Sequence, residues 1–122
     1  KPDVDFVVAD CGFEDIEGVL KEGYRKAGIP SILVDIADIG ARIRYHYSIK
    51  DMRPIDSLDD NHIPILFIHG ENDDLISSQN SIDMYNRTAG KKELKLIQNA
   101  GHAESSFTDL DGYQKSVKEF IE

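Results

Sequence analysis

Three short apolar runs along the chain have the composition of buried β-strands. The first is DFVVAD at residues 5–10, the second and clearest is IPILFIH at 63–69, and the third is LKLI at 94–97. Runs that are nearly continuous, rather than alternating apolar and polar, are typical of parallel strands that are covered on both faces.

Four other segments have apolar residues at the spacing of amphipathic helices. Gly28 and Pro30 end the first of these helices, and Ser31 is placed to cap the second. In the third, we expect Ile82 and Tyr85 to face inward. The predicted helices cover residues 14–26, 31–47, about 77–88, and 109 or 111 onward.

The order of these elements predicts the fold class. Residues 50–62 lack a regular period and are predicted to be loop with one helical turn. Elsewhere strands alternate with helices, which indicates βαβ units, a parallel sheet and right-handed crossovers. We therefore predict an α/β fold with three parallel strands. The sequence shows no internal repeat and no second domain.

The composition of the chain limits the binding partners, the location and the cysteine chemistry that can be expected. The 122 residues have 40% hydrophobic and 30% charged content, as ordinary globular domains do. The formal charge of −9 and the scattered basic residues argue against nucleic acid. No apolar run of about 18 residues and no signal peptide is present, which favours a cytoplasmic location, although a signal or anchor could precede this sequence. The single Cys11 excludes an internal disulfide and a multi-cysteine zinc site.

Candidate catalytic side chains follow two of the three predicted strands. Asp73 and Asp74 come shortly after His69 at the end of the second strand, and His102 follows the third. The carboxyl ends of parallel strands share one edge, and neighbouring strands lie about 4.8 Å apart. A carboxylate at one strand end could then orient an imidazole at the next, which is the acid–base half of a nucleophile–base–acid arrangement.

These stretches resemble a known superfamily. HGENDDLI at 69–76 resembles the HGxxDxxV/I stretch after the seventh strand of α/β-hydrolases, and AGH at 100–102 resembles their GH motif after the eighth. VVADCGF at 7–13 and RPID at 53–56 resemble bacterial members near the prolyl-oligopeptidase and acetyl-esterase groups. The resemblance spans nearly all 122 residues and implies the sixth to eighth strands of such a sheet.

The resemblance implies roles for particular residues. The acid of the superfamily falls on Asp73 and its base on His102, in the superfamily order Ser…Asp…His. Asp74 is a competing acid, and Asp10 is a minor alternative because a few relatives take their acid from just after the sixth strand.

The nucleophile that completes this machinery is missing from the sequence. None of the nine serines has glycine two positions before it, so there is no G-x-S-x-G elbow, and no HGGG-like loop is present. With Lys1 opening the chain just ahead of a strand, residues 1–122 are expected to be the C-terminal part of a serine hydrolase for ester or peptide-like acyl substrates. Alone, this part is expected to be inactive. The alternative is a free-standing, non-catalytic α/β binding module.

Other residues near these strand ends are expected to have structural rather than catalytic roles. His69 is expected to pack the strand end, and Cys11 to be a packed thiol, since it lacks flanking elbow glycines. A metal site of His69, Asp73 and His102 would need another well-placed ligand, which nothing in the sequence supplies. No cofactor is expected.

The second predicted helix lies in a segment at about 14–62 that corresponds to the cap of the superfamily. Its residues Ile36, Ile39 and Ile43 could line an acyl pocket or simply cover the sheet. The first strand would pair with the missing half of the sheet, so its free edge predicts self-association or retention of that half.

Overall fold

A computed structural model describes residues 4–122 and shows a three-stranded parallel sheet. The strands are β1 (Val7–Asp10), β2 (Ile65–Gly70) and β3 (Lys92–Ile97), in the order β1-β2-β3. β2 is central and hydrogen-bonds both neighbours in parallel. The predicted α/β class is confirmed. Residues 1–3, which the sequence places ahead of the first strand, lie outside the described range.

Helices connect and follow the strands. Two short 3-10 turns occupy the segment that was predicted to be loop with one helical turn. The turns span Ile49–Asp51 and Pro54–Ser57, and the helices are α1 (Ile16–Lys26), α2 (Ile32–Tyr45), α3 (Gln79–Arg87), α4 (Ser105–Thr108) and α5 (Leu110–Ile121). None of the helices within residues 4–122 combines the length and the apolar composition that crossing a membrane requires.

Local side-chain chemistry explains some of the helix ends. Asp15 accepts a hydrogen bond from Gly18 N–H and begins α1, and Asp109 caps α5 through Gly112 N–H in the same way. Gly28, with a φ of +71°, allows the left-handed turn that ends the first helical segment. Ser31 precedes α2 as predicted, but its side chain makes no capping hydrogen bond.

The core lies on both faces of β2, whose six residues are all buried. Side chains of a strand alternate between faces, so Ile65 and Phe67 point to one side while Leu66 and Ile68 point to the other. Each large apolar side chain that is fully buried contributes about 1.5–3 kcal/mol. The first face packs on Ile55, Leu58 and Met84. The second face packs on Ile97, Ala100 and Phe120.

α2 is anchored by a polar network rather than by its isoleucines. Its buried residues are Val34 and Asp38. The Asp38 carboxylate accepts hydrogen bonds from Ser48 Oγ and Ile49 N–H, each at 2.7 Å, and pairs with Arg42 Nε at 2.8 Å. These bonds outweigh the cost of desolvation and lower the pKa of Asp38. They fix α2 to the 3-10 turn that follows it.

The isoleucine stripe of α2 points away from the described sheet. Ile36, Ile39 and Ile43 are 56%, 57% and 75% exposed. This face therefore does not cover the three described strands, contrary to one of the two interpretations. The stripe is exposed because Asp38, on the opposite side of the helix, takes the inward position by pairing with Ser48 and Ile49.

Three smaller features of the structure differ from the sequence predictions. Tyr85 faces inward as predicted and packs edge-to-face on Phe67, with 6.5 Å between the ring centroids. The buried positions of α3 are Ser81 and Met84, however, and Ile82 is half-buried outside the core clusters. β3 begins at Lys92 rather than at residue 94, because it extends along β2 despite its charged residues. The four-residue α4 was not predicted, since one turn is too short to show a period.

Candidate active site

The carboxyl ends of all three strands meet at one edge of the sheet. Asp73 lies in the loop after β2, His102 lies in the loop after β3, and Cys11 directly follows β1. Because the strands are parallel and adjacent, these three segments are neighbours in space. The side chains that the sequence placed at this edge are therefore close together.

The loops after β2 and β3 pack directly against each other. Glu71 N–H donates to Ile97 O at 2.9 Å, and Asn72 N–H donates to Ala100 O at 3.0 Å. Gly70 allows this approach, because a Cβ at position 70 would collide with Ala100 O and would lie 2.7 Å from Ala100 C. The absence of a side chain at Gly70 thus sets the distance between the two loops.

Asp73 is a buried carboxylate with four hydrogen-bond partners. Oδ1 accepts the backbone N–H groups of Leu75 at 3.0 Å and of Ile76 at 2.8 Å. Oδ2 lies 2.8 Å from His102 Nδ1 and 3.1 Å from His69 Nε2. An ionised carboxylate offers about four acceptor positions, so the side chain is fully satisfied.

The charge of Asp73 is stabilised by these bonds. Desolvation by burial raises its pKa, but the hydrogen bonds from Ile76 N–H, His102 and Leu75 N–H outweigh desolvation and leave the pKa below its usual value. Asp73 is therefore ionised at neutral pH and can only accept hydrogen bonds. It follows that His102 Nδ1 carries the hydrogen in this contact.

His102 is held so that its second ring nitrogen remains available. Its side chain is 34% exposed, whereas that of Asp73 is fully buried. Ala103, which follows it, has a φ of +57° and donates its N–H to Cys11 Sγ at 3.3 Å. With Nδ1 turned to Asp73, His102 Nε2 is the nitrogen that can accept a proton from a reacting group.

The competing acids do not contact His102. Asp74 is exposed, and its backbone carbonyl accepts a hydrogen bond from Lys26. Asp10 is also exposed and accepts a hydrogen bond from Cys11 Sγ at 3.2 Å. Among residues 4–122, Asp73 is the one carboxylate that hydrogen-bonds His102.

His69 does more than pack the end of β2. Its fully buried ring lies 2.6 Å from Ser81 Oγ through Nδ1 and 2.8 Å from Ile76 O through Nε2. A carbonyl oxygen can only accept, so Nε2 carries the hydrogen that is shared between Ile76 O and Asp73 Oδ2. Reading the sequence alone missed Ser81. Its spacing from Met84 and Thr88, which are buried on the same face, was the available signal.

The clustered ligand-type atoms at this edge do not form a good metal site. Cys11, His69 and Asp73 place such atoms within 4.8 Å of one another. However, His69 Nε2 bears a hydrogen and Nδ1 faces Ser81, so neither nitrogen offers a free lone pair. Burial also raises the pKa of the Cys11 thiol, which disfavours the thiolate that metals bind. Because Nε2 of His69 bears this hydrogen, it also cannot bind a metal ion in a site formed by His69, Asp73 and His102.

Cys11 has a structural role at this edge rather than a reactive one. It is 7% exposed and adopts a φ of +52° directly after β1. Its sulfur accepts the Ala103 N–H and so links the end of β1 to the loop of His102. This agrees with the expected packed thiol.

Comparisons with solved structures identify the fold. The chain matches MGS-MChE2, an α/β-hydrolase enzyme from the metagenome of sediments of the Mar Chica lagoon in Morocco, with a TM-score of 0.60 and 15% identity over 97% of this chain and 50% of that one. It also matches acetyl xylan esterase 1 from Thermoanaerobacterium sp. JW/SL YS485, with a TM-score of 0.63 and 15% identity over 98% of this chain and 38% of that one. The three strands and their helices therefore have the architecture of part of an α/β-hydrolase fold.

A curated relative has higher sequence identity. The uncharacterized protein YqkD of Bacillus subtilis (strain 168) is 33% identical over 97% of this chain and 39% of its own length. The chain thus spans about two fifths of the curated relative that it matches and half or less of these two solved neighbours. No family model matches it.

Proposed function

We propose that this chain is the C-terminal part of a serine hydrolase that acts on carboxylic ester or peptide-like acyl substrates. In this proposal it supplies the acid, Asp73, and the base, His102, of a Ser-Asp-His triad. The observation that carries the proposal is the 2.8 Å hydrogen bond between Asp73 Oδ2 and His102 Nδ1, at the strand ends where this fold normally builds its sites.

In the proposed mechanism His102 transfers protons and Asp73 remains ionised. Nε2 of His102 removes the hydroxyl proton of a serine in another part of the complete protein as that oxygen attacks the acyl carbon. Backbone amides of the same part stabilise the oxyanion. His102 then gives its proton to the leaving group, and a water molecule releases the acyl group by the same steps. Asp73 keeps the ring oriented and stabilises its cationic form.

The exposed stripe of α2 gives a candidate place for the acyl group. Ile36, Ile39 and Ile43 form an apolar face that the described sheet does not cover. In the complete protein this face is proposed to line part of the acyl pocket as a cap segment. The same proposal makes the 122-residue chain inactive by itself, because it lacks an elbow serine.

One observation favours a second function, that of a non-catalytic α/β binding module. None of the nine serines stands in a G-x-S-x-G pattern, so the given sequence holds no nucleophile of the expected kind. A binding module would use the same fold without needing the contact between Asp73 and His102.

The coding sequence upstream of residue 1 and an ester hydrolysis assay separate the two functions. The hydrolase proposal requires an upstream strand, a G-x-S-x-G turn and a helix in the same reading frame. In the longer polypeptide, His102→Ala should reduce kcat for p-nitrophenyl esters by on the order of 10⁴-fold or more. His62→Ala, at an exposed histidine, is the matched control and should leave kcat unchanged. Absence of the upstream motif, or equal rates for the two variants, would favour the binding module.

A further inference from the structure

The carboxylate of Asp73 is shared between two imidazoles. Oδ2 lies 2.8 Å from Nδ1 of the half-buried His102 and 3.1 Å from Nε2 of the fully buried His69. The first contact belongs to the proposed triad, whereas the second has no part in the proton transfers described above. The structure therefore raises the question of what His69 does for the carboxylate.

The direction of each hydrogen bond around His69 is determined by its partners. Ile76 O can only accept, so Nε2 of His69 bears a hydrogen, and in the neutral ring Nδ1 is then an acceptor. Ser81 Oγ, at 2.6 Å, supplies the hydrogen to Nδ1. Ile76 O thus sets the tautomer in which Nε2 donates toward Asp73, and the Ser81 hydroxyl on α3 satisfies and holds the other ring nitrogen.

We propose that His69 and Ser81 are positioning residues that keep Asp73 Oδ2 aimed at His102. Hydrogen bonds run from Ser81 Oγ to His69 Nδ1, from His69 Nε2 to Asp73 Oδ2, and from His102 Nδ1 to the same oxygen. The catalytic importance of this chain of bonds rests on the proposed function, but its effect on the contact between Asp73 and His102 does not.

The positioning follows from how the carboxylate is held. Two backbone N–H groups hold Oδ1, but they leave the carboxylate free to tilt about that oxygen. A donor on Oδ2 from the rigid end of β2 removes this freedom, because His69 is fully buried and cannot move independently. Ser81 is also fully buried, so the sheet and α3 both hold the ring in place. His102, on a more exposed loop, then finds its acceptor at a fixed position.

If His69 only filled space, its variants would rank in the opposite order from the order that a positioning role predicts. Phenylalanine at position 69 fills the buried space with an aromatic ring but provides no donor. Glutamine packs less well, but its amide nitrogen can take the place of Nε2 and donate to Asp73. If His69 acts through its hydrogen bond, Gln restores the contact between Asp73 and His102 and Phe does not. If His69 acts only by filling space, the order is reversed.

The test is side-chain NMR of the 122-residue chain with ¹⁵N-labelled histidine. The measured quantity is the rate at which the His102 Nδ1 hydrogen exchanges with water. Relative to wild type, exchange should be about tenfold faster in His69→Phe and within about twofold in His69→Gln, because the first variant loses a charge-assisted hydrogen bond that the second retains. Ser81→Ala should accelerate exchange by a smaller, measurable factor, because the His69 ring then loses the partner that holds its Nδ1 side in place.

Ser116→Ala is the matched control for Ser81→Ala. The Ser116 hydroxyl hydrogen-bonds Gly112 O within α5, outside the site, and its removal should leave the His102 signal unchanged. If His69→Phe fails to fold, as judged by its backbone amide spectrum, the comparison of Ser81→Ala with Ser116→Ala decides. Equal exchange rates in these two serine variants would overturn the proposal.

Two further outcomes would also overturn it. One is a wild-type spectrum without a protected Nδ1 hydrogen on His102, and the other is faster exchange in His69→Gln than in His69→Phe. None of these measurements requires turnover of a substrate. The positioning role can therefore fail while the hydrolase function stands, and an inactive longer polypeptide would leave the exchange result intact.

Discussion

Replacing Gly70 by alanine tests whether the close approach of the loops after β2 and β3 shapes the site. The added Cβ would lie 2.7 Å from Ala100 C and from Gly101 O, and closer still to Ala100 O. Carbon atoms in contact normally lie about 3.5–4.0 Å apart, so the overlap with Ala100 C is about 0.8 Å. The obstructing atoms are backbone, so no side-chain rotation relieves the clash.

The expected cost follows from this overlap. Overpacking in a core typically costs about 1–3 kcal/mol, and the lower chain entropy of unfolded alanine relative to glycine offsets about 0.4–1 kcal/mol. Because the obstructing atoms are backbone, we take the upper end of the overpacking range, about 3 kcal/mol, and expect Gly70→Ala to lower the free energy of unfolding by about 2 kcal/mol net. The change also displaces residues 100–101, which carry His102, so the contact between His102 and Asp73 should weaken.

Urea denaturation followed by circular dichroism measures this effect, with Gly23→Ala as the matched control. Gly23 lies inside α1, and a Cβ there would meet nothing within 4 Å. Alanine favours helix over glycine by about 0.8–1 kcal/mol, so the control should be more stable than wild type. A Gly70→Ala protein as stable as wild type would refute the reasoning about the two loops.

Three further expectations concern pH, the surface of α2 and assembly. Because folding lowers the pKa of Asp73, its contribution to stability is present above the unfolded value of about 3.9 and is lost as pH falls through the folded value; in urea titrations, Asp73→Asn should lose less stability on acidification than wild type. Ile43→Ser should change the free energy of unfolding by no more than about 0.5 kcal/mol, because Ile43 is 75% exposed. β1 pairs only with β2 within the described residues, so sedimentation of the isolated chain should show self-association, and a monodisperse monomer would contradict this.

The sheet was predictable from local sequence because each strand contains a short apolar run. All six residues of β2 are buried, and the corresponding run at 63–69 has no competing helical period. β3 was harder to delimit, since Lys92 and Glu93 extend it by pairing with Ile65 and Leu66 of β2. That pairing is a tertiary effect which the composition of the segment does not reveal.

The orientation of α2 could not be predicted, although its existence could. Its isoleucine spacing defines an apolar face but says nothing about which neighbour, if any, covers that face. Here the buried side is set by Asp38, whose partners Ser48 and Ile49 lie in the next segment. A buried carboxylate inside an apolar-looking helix cannot be recognised without knowing those partners.

The candidate site was predictable in outline but not in detail. The proximity of Asp73 and His102 follows from parallel strand order, because both residues lie just beyond the ends of neighbouring strands. The hydrogen bond from the second imidazole to the same carboxylate was not predicted, because the sequence does not show which way the ring of His69 faces. Ser81, which holds the other nitrogen of that ring, lies twelve residues away on α3, and its contact depends on how that helix is rotated.

The most direct test of the proposed catalytic pair is the kcat for p-nitrophenyl esters of two amide variants in the longer polypeptide. Asp73→Asn should reduce kcat by on the order of 10⁴-fold, because an amide neither stabilises the imidazolium nor preserves the tautomer of His102. Asp74→Asn, at an exposed neighbour that does not contact His102, should keep nearly full activity. Equal reductions in the two variants, or a larger loss in Asp74→Asn, would contradict the assignment of Asp73 as the acid that serves His102.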